Sequence, residues 1–177
     1  MNWQDLKTFN VADRLLLSDP GYIEEPQYHI QVDAQPGDWK AVLWSGPTEV
    51  SNSPEWNQAE KNLILVLAPV ADLEGLLEEL DDCYLCCSDL KDFEQLTTLC
   101  IDSGEVVAGP ALQGIKQAAE RFEQRNQLAR CRTGWGDGHY PAWVKHVEGK
   151  VVAMVLDMQP TEIQQAFFQA WLEGADD

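Results

Sequence analysis

Residues Cys131 to Met158 have the sequence CRTGWGDGHYPAWVKHVEGKVVAMVLDM, a glycine-rich segment followed by two apolar runs. In the first part, three glycines that tolerate positive φ alternate with three side chains able to bind or react: Gly134-Trp135-Gly136-Asp137-Gly138-His139. The apolar runs, Tyr140 to Val147 and Lys150 to Met158, are separated by Glu148-Gly149, which predicts a β-hairpin with a tight turn. We therefore expect a stiff two-stranded ribbon that carries a shaped loop at one end.

Shorter apolar or alternating runs upstream predict further strands, most of them bounded by turn residues. Asn62 to Ala68 is the most apolar short run of the chain and is typical of a central strand covered on both faces. Thr48 to Lys61 is polar and contains Pro54, which predicts an exposed loop. The remaining strands are expected at Arg14–Asp19, Tyr28–Val32, Asp38–Trp44, Leu96–Ile101 and Glu105–Ala108.

Other segments have apolar side chains at helical spacing. Ala71 to Leu80 carries four leucines in one stripe, and Ala111 to Arg130 and a segment beginning at Pro160 show a looser pattern. Residues 1 to 13 form a short amphipathic segment with Trp3, Leu6 and Phe9 at the same spacing, and residues 83 to 92 fit a loop or a short helix. The expected fold is one α+β domain over residues 1 to 177: a mostly antiparallel β-sheet, as a sandwich or partial barrel, with two to four flanking helices.

Composition narrows the class of protein further. The chain has 177 residues, 45% of them hydrophobic, and seven tryptophans, which is enough for one packed core. No run approaches about 18 uninterrupted apolar residues, and the N-terminus lacks a basic stretch followed by an apolar one, so we expect neither membrane association nor export. The cytoplasm is the expected location. Five cysteines, an odd number, favour free thiols there.

The net charge of −18 limits the possible partners. Binding to nucleic acid depends mainly on Lys and Arg contacts to phosphates, so direct nucleic-acid binding is not expected. Between Val70 and Pro110 eleven acids accompany a single base, Lys91. Such a field favours association with a basic protein, although acidity can also serve solubility alone.

Four short motifs occur in a recognisable order: Ser18-Asp19-Pro20-Gly21-Tyr22, Pro36-Gly37-Asp38-Trp39, Asp102-Ser103-Gly104 and Gly134-Trp-Gly-Asp-Gly-His-Tyr-Pro141. This set resembles the bacterial proteins grouped as domain of unknown function 4241 and covers most of the chain. The resemblance implies a compact β-rich domain whose turn motifs converge at one end. It implies no chemistry, and the chain departs from the family pattern at residues 83 to 87 and in the acidic middle segment.

Asp137 and His139 are the candidate catalytic residues. A carboxylate near an imidazole can orient it as a general base, and Asp19 or Asp102 could complete a cation or catalytic site. His139 could act in proton transfer, a common role of histidine side chains. The alternative is structural: aspartates in such turns commonly accept backbone N–H bonds, and this applies to Asp19, Asp102 and Asp137 alike.

Aromatic and sulfur side chains provide further candidates. Trp135, Tyr140 and Trp143 flank the loop and could line a binding pocket with Trp39 and Trp44 if the strands bring them together, or they could fill the core. Cys83, Cys86 and Cys87 contain a Cys-x-x-Cys pair, but a structural zinc site usually needs a second pair. We assign neither a metal nor a cofactor, and we find no nucleotide-binding or serine-hydrolase motif.

The sequence supports two main functional hypotheses. The first is an acidic cytoplasmic binding protein without catalysis, for example an immunity-type inhibitor of a basic bacterial toxin. The second is a metal-assisted hydrolase that uses the aspartates and histidine near residues 134 to 141. A structural subunit is a third possibility, which a large apolar surface patch would indicate.

Overall fold

The computed structural model describes residues 3–23, 25–46, 61–111 and 128–159. These residues form ten strands and one α-helix, α1 (Leu73–Asp82), together with two short 3-10 turns at Pro26–Tyr28 and Cys87–Asp89. The strands are β1 (Trp3–Val11), β2 (Arg14–Ser18), β3 (His29–Asp33), β4 (Gly37–Gly46), β5 (Lys61–Pro69), β6 (Phe93–Ile101), β7 (Glu105–Pro110), β8 (Ala129–Arg132), β9 (Gly138–Val147) and β10 (Lys150–Asp157).

The strands form two antiparallel sheets. A six-stranded sheet has the order β1-β4-β5-β10-β9-β6, and a four-stranded sheet has the order β3-β2-β7-β8. Strand β5 lies between β4 and β10, as its continuous apolar sequence predicts for a central strand. The edges of the larger sheet are β1 and β6, so both strands of the predicted ribbon, β9 and β10, lie inside the sheet.

The two sheets pack face to face over a shared hydrophobic core. Leu15, Leu17 and Ile30 from the smaller sheet meet side chains such as Leu65 and Tyr140 from the larger one. A second core lies on the outer face of the larger sheet, where the buried leucines of α1 pack against β5 and β10: Leu73, Leu76 and Leu80 against Ile64, Val66 and Val155. The larger sheet is therefore covered on both faces.

The hairpin predicted from the ribbon sequence is confirmed. Strands β9 and β10 pair from Lys150–Val147 onwards, and the two turn residues Glu148 and Gly149 have φ of 51° and 79°. Positive φ at both central positions is the signature of the two-residue turns that match the twist of antiparallel strands. The helix predicted at Ala71 to Leu80 is also confirmed, shifted by two residues.

The expectation of two to four flanking helices is wrong. Strands make up 60% of the described residues, and these residues contain one α-helix. The N-terminal segment is strand β1, because Phe9 and Val11 alternate into the core while β1 pairs with β4 along most of its length. The end of the helix predicted at Ala111 to Arg130 is strand β8. Residues 112 to 127 of that predicted helix, the helix expected from Pro160 and most of the loop expected from Thr48 lie outside the described residues.

In the part of the chain that the structure describes, no helix is both long enough and apolar enough to cross a membrane.

Candidate functional site

A buried carboxylate joins two of the turn motifs. Asp19 follows β2 and is fully buried. Its Oδ1 accepts the backbone N–H of Gly21 at 2.7 Å, and its Oδ2 accepts those of Asp102 at 2.7 Å and Ser103 at 2.9 Å. Hydrogen bonds from backbone N–H groups to a carboxylate belong to the stronger class in proteins. Asp19 therefore fixes the turn after β2 against the turn between β6 and β7.

The glycine-rich loop is attached to the same place. The backbone N–H of Thr133 donates to Gly104 O at 3.0 Å, and the Thr133 hydroxyl donates to Gly136 O at 2.5 Å. The fully buried Tyr140 donates its hydroxyl to the same carbonyl at 2.9 Å. Burial raises the pKa of Tyr140 to about 12, so the phenol stays protonated and keeps donating. The loop thus has a defined shape.

The three glycines of the loop serve different purposes. All three positions tolerate positive φ, but among them Gly136 alone adopts it, at 74°. Gly134 is needed for space, because a Cβ there would lie 2.5 Å from the backbone oxygen of Asn62. Gly138 already belongs to strand β9.

The turn motifs converge only in part. Three of the four, at residues 18–22, 102–104 and 134–141, meet at the end of the sheets through the hydrogen bonds of Asp19 and Thr133. The motif that begins at Pro36 lies at the opposite end, since Gln35 donates its backbone N–H to Val151 O at 2.9 Å, close to the hairpin turn. The convergence implied by the family resemblance is therefore incomplete.

Two tyrosines and a cysteine lie beside this junction. The rings of Tyr22 and Tyr28 stack with centroids 4.6 Å apart. The Asp102 carboxylate raises the pKa of Tyr22, through hydrogen bonding and through its charge. Tyr28 lies near Cys100, and the pKa of Tyr28 is raised mainly by burial and by the nearby Cys100 and Asp102. The raised pKa values of both tyrosines therefore favour the protonated hydroxyls, and the negative charge of nearby carboxylates contributes to this.

Cys100 lies directly opposite His139 in the pairing of β6 with β9. A cysteine next to a histidine is the arrangement of a nucleophilic thiolate when positive charge lowers the thiol pKa. Here the pKa of Cys100 is raised instead, chiefly by burial and also by the carboxylates of Asp102, Asp19 and Asp137, although the Tyr28 hydrogen bond opposes them. The surroundings therefore disfavour the thiolate that such chemistry requires.

The predicted Asp and His residues lie at the same end of the sheets, but they differ in burial and in the groups with which they form hydrogen bonds. Asp19 is a turn-forming carboxylate, whereas Asp102 joins it through its backbone N–H. Asp137 and His139 are exposed. Within residues 3–23, 25–46, 61–111 and 128–159, no three His, Cys, Asp or Glu side chains are placed to hold one metal ion. The described geometry therefore lends no support to the metal-assisted hydrolase.

The tryptophans do not share one pocket. Trp135 packs against the core between the sheets, where Trp39 is fully buried. Trp143 and Trp44 pack against the second core on the outer face of the larger sheet. Because neighbouring residues of a strand point to opposite faces, the half-buried Trp143 and the buried Tyr140 also lie on different sides of β9. The proposed aromatic pocket is therefore divided between two layers.

The Cys-x-x-Cys segment follows α1. Cys83 donates its thiol to Leu80 O and Cys86 O, at 3.4 and 3.3 Å. Cys86 is exposed, while Cys87 is buried beside Asp157, and burial strongly raises the pKa of the Cys87 thiol. All five cysteines are free. A raised thiol pKa is the opposite of what a reactive redox cysteine shows.

A dense set of carboxylates lies on α1 and the segment after it. Nine acids occur between residues 72 and 94 with Lys91 as the one base, and seven of them are exposed. Among the described residues, only Glu94 of this set forms an ion pair, with His146 at 3.2 Å. The negative charge is thus largely unneutralised by described neighbours. We call this set the acidic surface: Asp72, Glu74, Glu78, Glu79, Asp81, Asp82, Asp89, Asp92 and Glu94.

Sequence reasoning missed Tyr22, Tyr28 and Cys100. Tyr22 ends one of the quoted motifs, and Cys100 is two residues before another, so proximity to the turns was a usable signal. Their proximity depends on the packing of the 3-10 turn at Pro26–Tyr28 against β6, which a single sequence does not reveal.

No family model matches this chain, and no curated protein or solved structure matches it either. The resemblance to the family of unknown function therefore stays a prediction that depends on the four motifs.

Proposed function

We propose that this chain is a cytoplasmic binding protein that acts without catalysis and associates with a basic partner through the acidic surface. The observation that carries the proposal is the concentration of nine acids and one base on α1 and the segment that follows it. Eight of these acids form no ion pair with another described residue. The negative electrostatic field of these carboxylates can therefore attract a basic partner.

The concrete form of the proposal is an immunity-type inhibitor of a basic bacterial toxin such as a nuclease. A field of one sign can raise association rates by about 10 to 1,000-fold at low salt. Acidic inhibitors use such a field to reach a cationic active site quickly, while a few central anchors supply most of the affinity. The raised pKa of Cys100 and the absence of a metal-ligand cluster among the described residues also favour binding over catalysis.

The family resemblance belongs to the same proposal. It is supported by the meeting of three of the four motifs through the hydrogen bonds of Asp19 and Thr133. A solved structure of a family member would test it. We expect the aspartate of its first motif to accept backbone N–H groups from the turn that corresponds to residues 102–104, and a first motif far from that turn would contradict the kinship.

The binding proposal is tested by affinity capture from the native host at low and at moderate salt. One variant removes four charges from the acidic surface: Glu74→Gln, Glu78→Gln, Asp82→Asn and Asp89→Asn. The matched control removes four exposed charges elsewhere: Asp13→Asn, Asp33→Asn, Asp38→Asn and Glu148→Gln. We expect the wild type and the control to capture the same basic protein, and the first variant to lose it.

Inhibition is measured next, by adding the chain to the captured protein and assaying hydrolysis of nucleic acid. An immunity protein suppresses that activity at equimolar concentration. Recovery of no basic protein at either salt concentration, or equal capture by both four-charge variants, contradicts the proposal.

A further inference from the structure

A groove of about 370 Å³ lies between α1 and the outer face of the six-stranded sheet. Gly75 and Leu76 of α1 line one side, and Ala153 and Val147 of the hairpin line the other. The volume falls in the range of about 300 to 1,000 Å³ that is usual for ligand pockets. Its lining combines apolar side chains with charged groups, which is the composition expected of a binding site.

Gly75 keeps this groove open. It lies inside α1 without positive φ, and a Cβ added there would meet no atom of the described residues within 4 Å. Glycine inside a helix is less favourable than alanine, because it loses more backbone freedom on folding. Neither backbone conformation nor close packing therefore requires glycine at this position, whereas any larger side chain would project into the groove.

The charged groups of the groove are unevenly distributed. Asp72 and Glu79 line it from α1, and Lys145 lines it from β9. Asp72 is the N-cap residue of α1, yet its carboxylate makes no capping hydrogen bond, although aspartate at this position commonly does. Glu79 uses one oxygen to accept the backbone N–H of Lys91 at 2.5 Å. Lys145 forms no ion pair with any described residue.

Two carboxylates and one ammonium leave the groove with an excess of one negative charge. The groove also adjoins the acidic surface, since Asp72 and Glu79 belong to both. A single cation with an apolar stem matches this arrangement. Arginine has such a stem, and its planar guanidinium binds carboxylates through two parallel hydrogen bonds.

We propose that the groove receives an arginine side chain of the basic partner, with the guanidinium at Asp72 and the aliphatic stem against Leu76 and Ala153. The inference rests on the proposed function, because it identifies an anchor for the same partner. Gly75 provides the access, and the acidic surface attracts the partner towards it. A buried arginine of this kind is typical of the residues that dominate interface affinity.

The test uses N-acetyl-L-arginine amide as the probe and follows backbone amide shifts of the ¹⁵N-labelled protein. N-acetyl-L-citrulline amide, which has a similar shape without the charge, is the control probe. We expect saturable shifts centred on Gly75, Leu76 and Ala153 with the arginine probe. Citrulline should bind about tenfold more weakly, because loss of a hydrogen bond to a charged group has an effect of that order.

Two charge-matched variants separate the groove from the field around it. Asp72→Asn removes a groove carboxylate, and Glu78→Gln removes an exposed carboxylate of the same helix that does not line the groove. Asp72→Asn should weaken the arginine probe by about tenfold, and Glu78→Gln by less than about threefold. Equal effects of the two changes, or shifts spread over the acidic surface instead of the groove, overturn the proposal.

Gly75→Leu is the steric variant. It should abolish the probe-induced amide shifts in the groove and weaken capture of the basic partner, while a dispersed spectrum shows that the variant is folded. If the leucine variant does not fold, the comparison of Asp72→Asn with Glu78→Gln tests the groove instead. Undiminished partner capture by a folded Gly75→Leu variant refutes the groove and leaves the proposed function intact. Conversely, specific arginine binding in the groove without capture of any basic protein supports the groove and refutes the proposed partner.

Discussion

The carboxylate of Asp19 accepts the backbone N–H of Asp102 at 2.7 Å, although the two residues are 83 positions apart. The same carboxylate binds the N–H groups of Gly21 and Ser103. Because Asp19 is fully buried, these N–H groups have little access to water as a replacement acceptor. The Asp19 side chain thus joins the turn after β2 to the turn between β6 and β7 at this end of the molecule.

Asp19→Asn tests this junction. The amide retains one oxygen acceptor but places an NH₂ group against N–H donors, so we expect a loss of about 3 kcal/mol in the free energy of unfolding. Urea denaturation monitored by tryptophan fluorescence measures it. Asp102→Asn is the control, because it changes an exposed side chain and leaves the bonded N–H intact, so its effect should be much smaller. Similar losses for both variants would show that the Asp19 carboxylate has no special role.

Gly134→Ala and Gly75→Ala make the same chemical change with opposite expected results. At Gly134 the new Cβ would lie 2.5 Å from Asn62 O and 3.0 Å from Lys61 Cβ, so strand β5 or the loop must move. We expect a loss of about 1 to 3 kcal/mol, the usual range for overpacking. At Gly75 the Cβ contacts no part of the chain that the structure describes, and alanine should stabilise α1 by about 0.5 to 1 kcal/mol. Thermal and urea unfolding measure both, and two changes of the same sign would contradict the described geometry.

Tyr140→Phe probes the hydroxyl that holds the loop. Near pH 7 the loss of its bond to Gly136 O should cost about 1 kcal/mol. Burial raises the folded-state pKa of Tyr140 from 10.0 to about 12, so the folded protein retains a proton that the unfolded chain releases over this range. This contribution to stability is complete below about pH 10 and is lost as the pH rises towards about 12.

The phenylalanine variant lacks that titration. Its stability should therefore decline less steeply than that of the wild type between about pH 10 and about pH 11.5, and the difference between the two proteins should narrow. Urea unfolding at several alkaline pH values, with tyrosinate absorbance in the near ultraviolet, measures this. If the free energies of unfolding of the two proteins fell in parallel with rising pH, this would argue against a raised pKa of the buried Tyr140 phenol.

Asp157→Asn addresses a half-buried carboxyl group at the end of β10. Burial raises the pKa of Asp157 above 3.8, even though Oδ1 accepts two hydrogen bonds from Gln159. For a carboxyl group with a raised folded-state pKa, the folded protein binds more protons than the unfolded chain above pH 3.8, so stability falls as the pH rises through that window. Asparagine retains the Oδ1 acceptor and cannot ionise, so it lacks this loss of stability with rising pH.

The stability of the Asp157→Asn variant relative to wild type should therefore increase from about pH 3.5 to about pH 7. Chemical denaturation at intervals across this range measures the difference, and Asp13→Asn, which removes an exposed carboxylate, controls for net charge. A relative stability that is constant or falls with pH would refute the assignment.

Local sequence patterns predicted much of the strand content. Three predicted runs correspond to β2, β4 and β5: Arg14 to Asp19, Asp38 to Trp44 and Asn62 to Ala68. Short runs of apolar and β-branched residues that are bounded by turn residues favour the extended conformation of a strand. The hairpin at Glu148-Gly149 is equally local, since two residues with positive φ suffice to specify it. The leucine stripe of α1 is also a property of spacing alone.

The N-terminal segment is a strand although its local sequence has helical spacing. Trp3, Leu6 and Phe9 have helical spacing, but β4 offers a partner edge, and pairing with it places Phe9 and Val11 in the shared core. Tertiary pairing overrides a weak local preference of this kind. The division of Trp135 and Trp143 between two cores has the same origin, because the two faces of a strand differ only once the second sheet and the helix are in place.

The sequence by itself determined the β-rich character of the chain, the hairpin, α1 and the excess of negative charge, because each depends on composition or on neighbours within a few positions. The tertiary structure alone decided that Asp19 binds the turn at Asp102, that Cys100 lies opposite His139, and that a groove opens beside Gly75. These relationships join residues far apart in the chain. They depend on which strands pair and on which face α1 packs, and both are selected by the free energy of burying the two cores together.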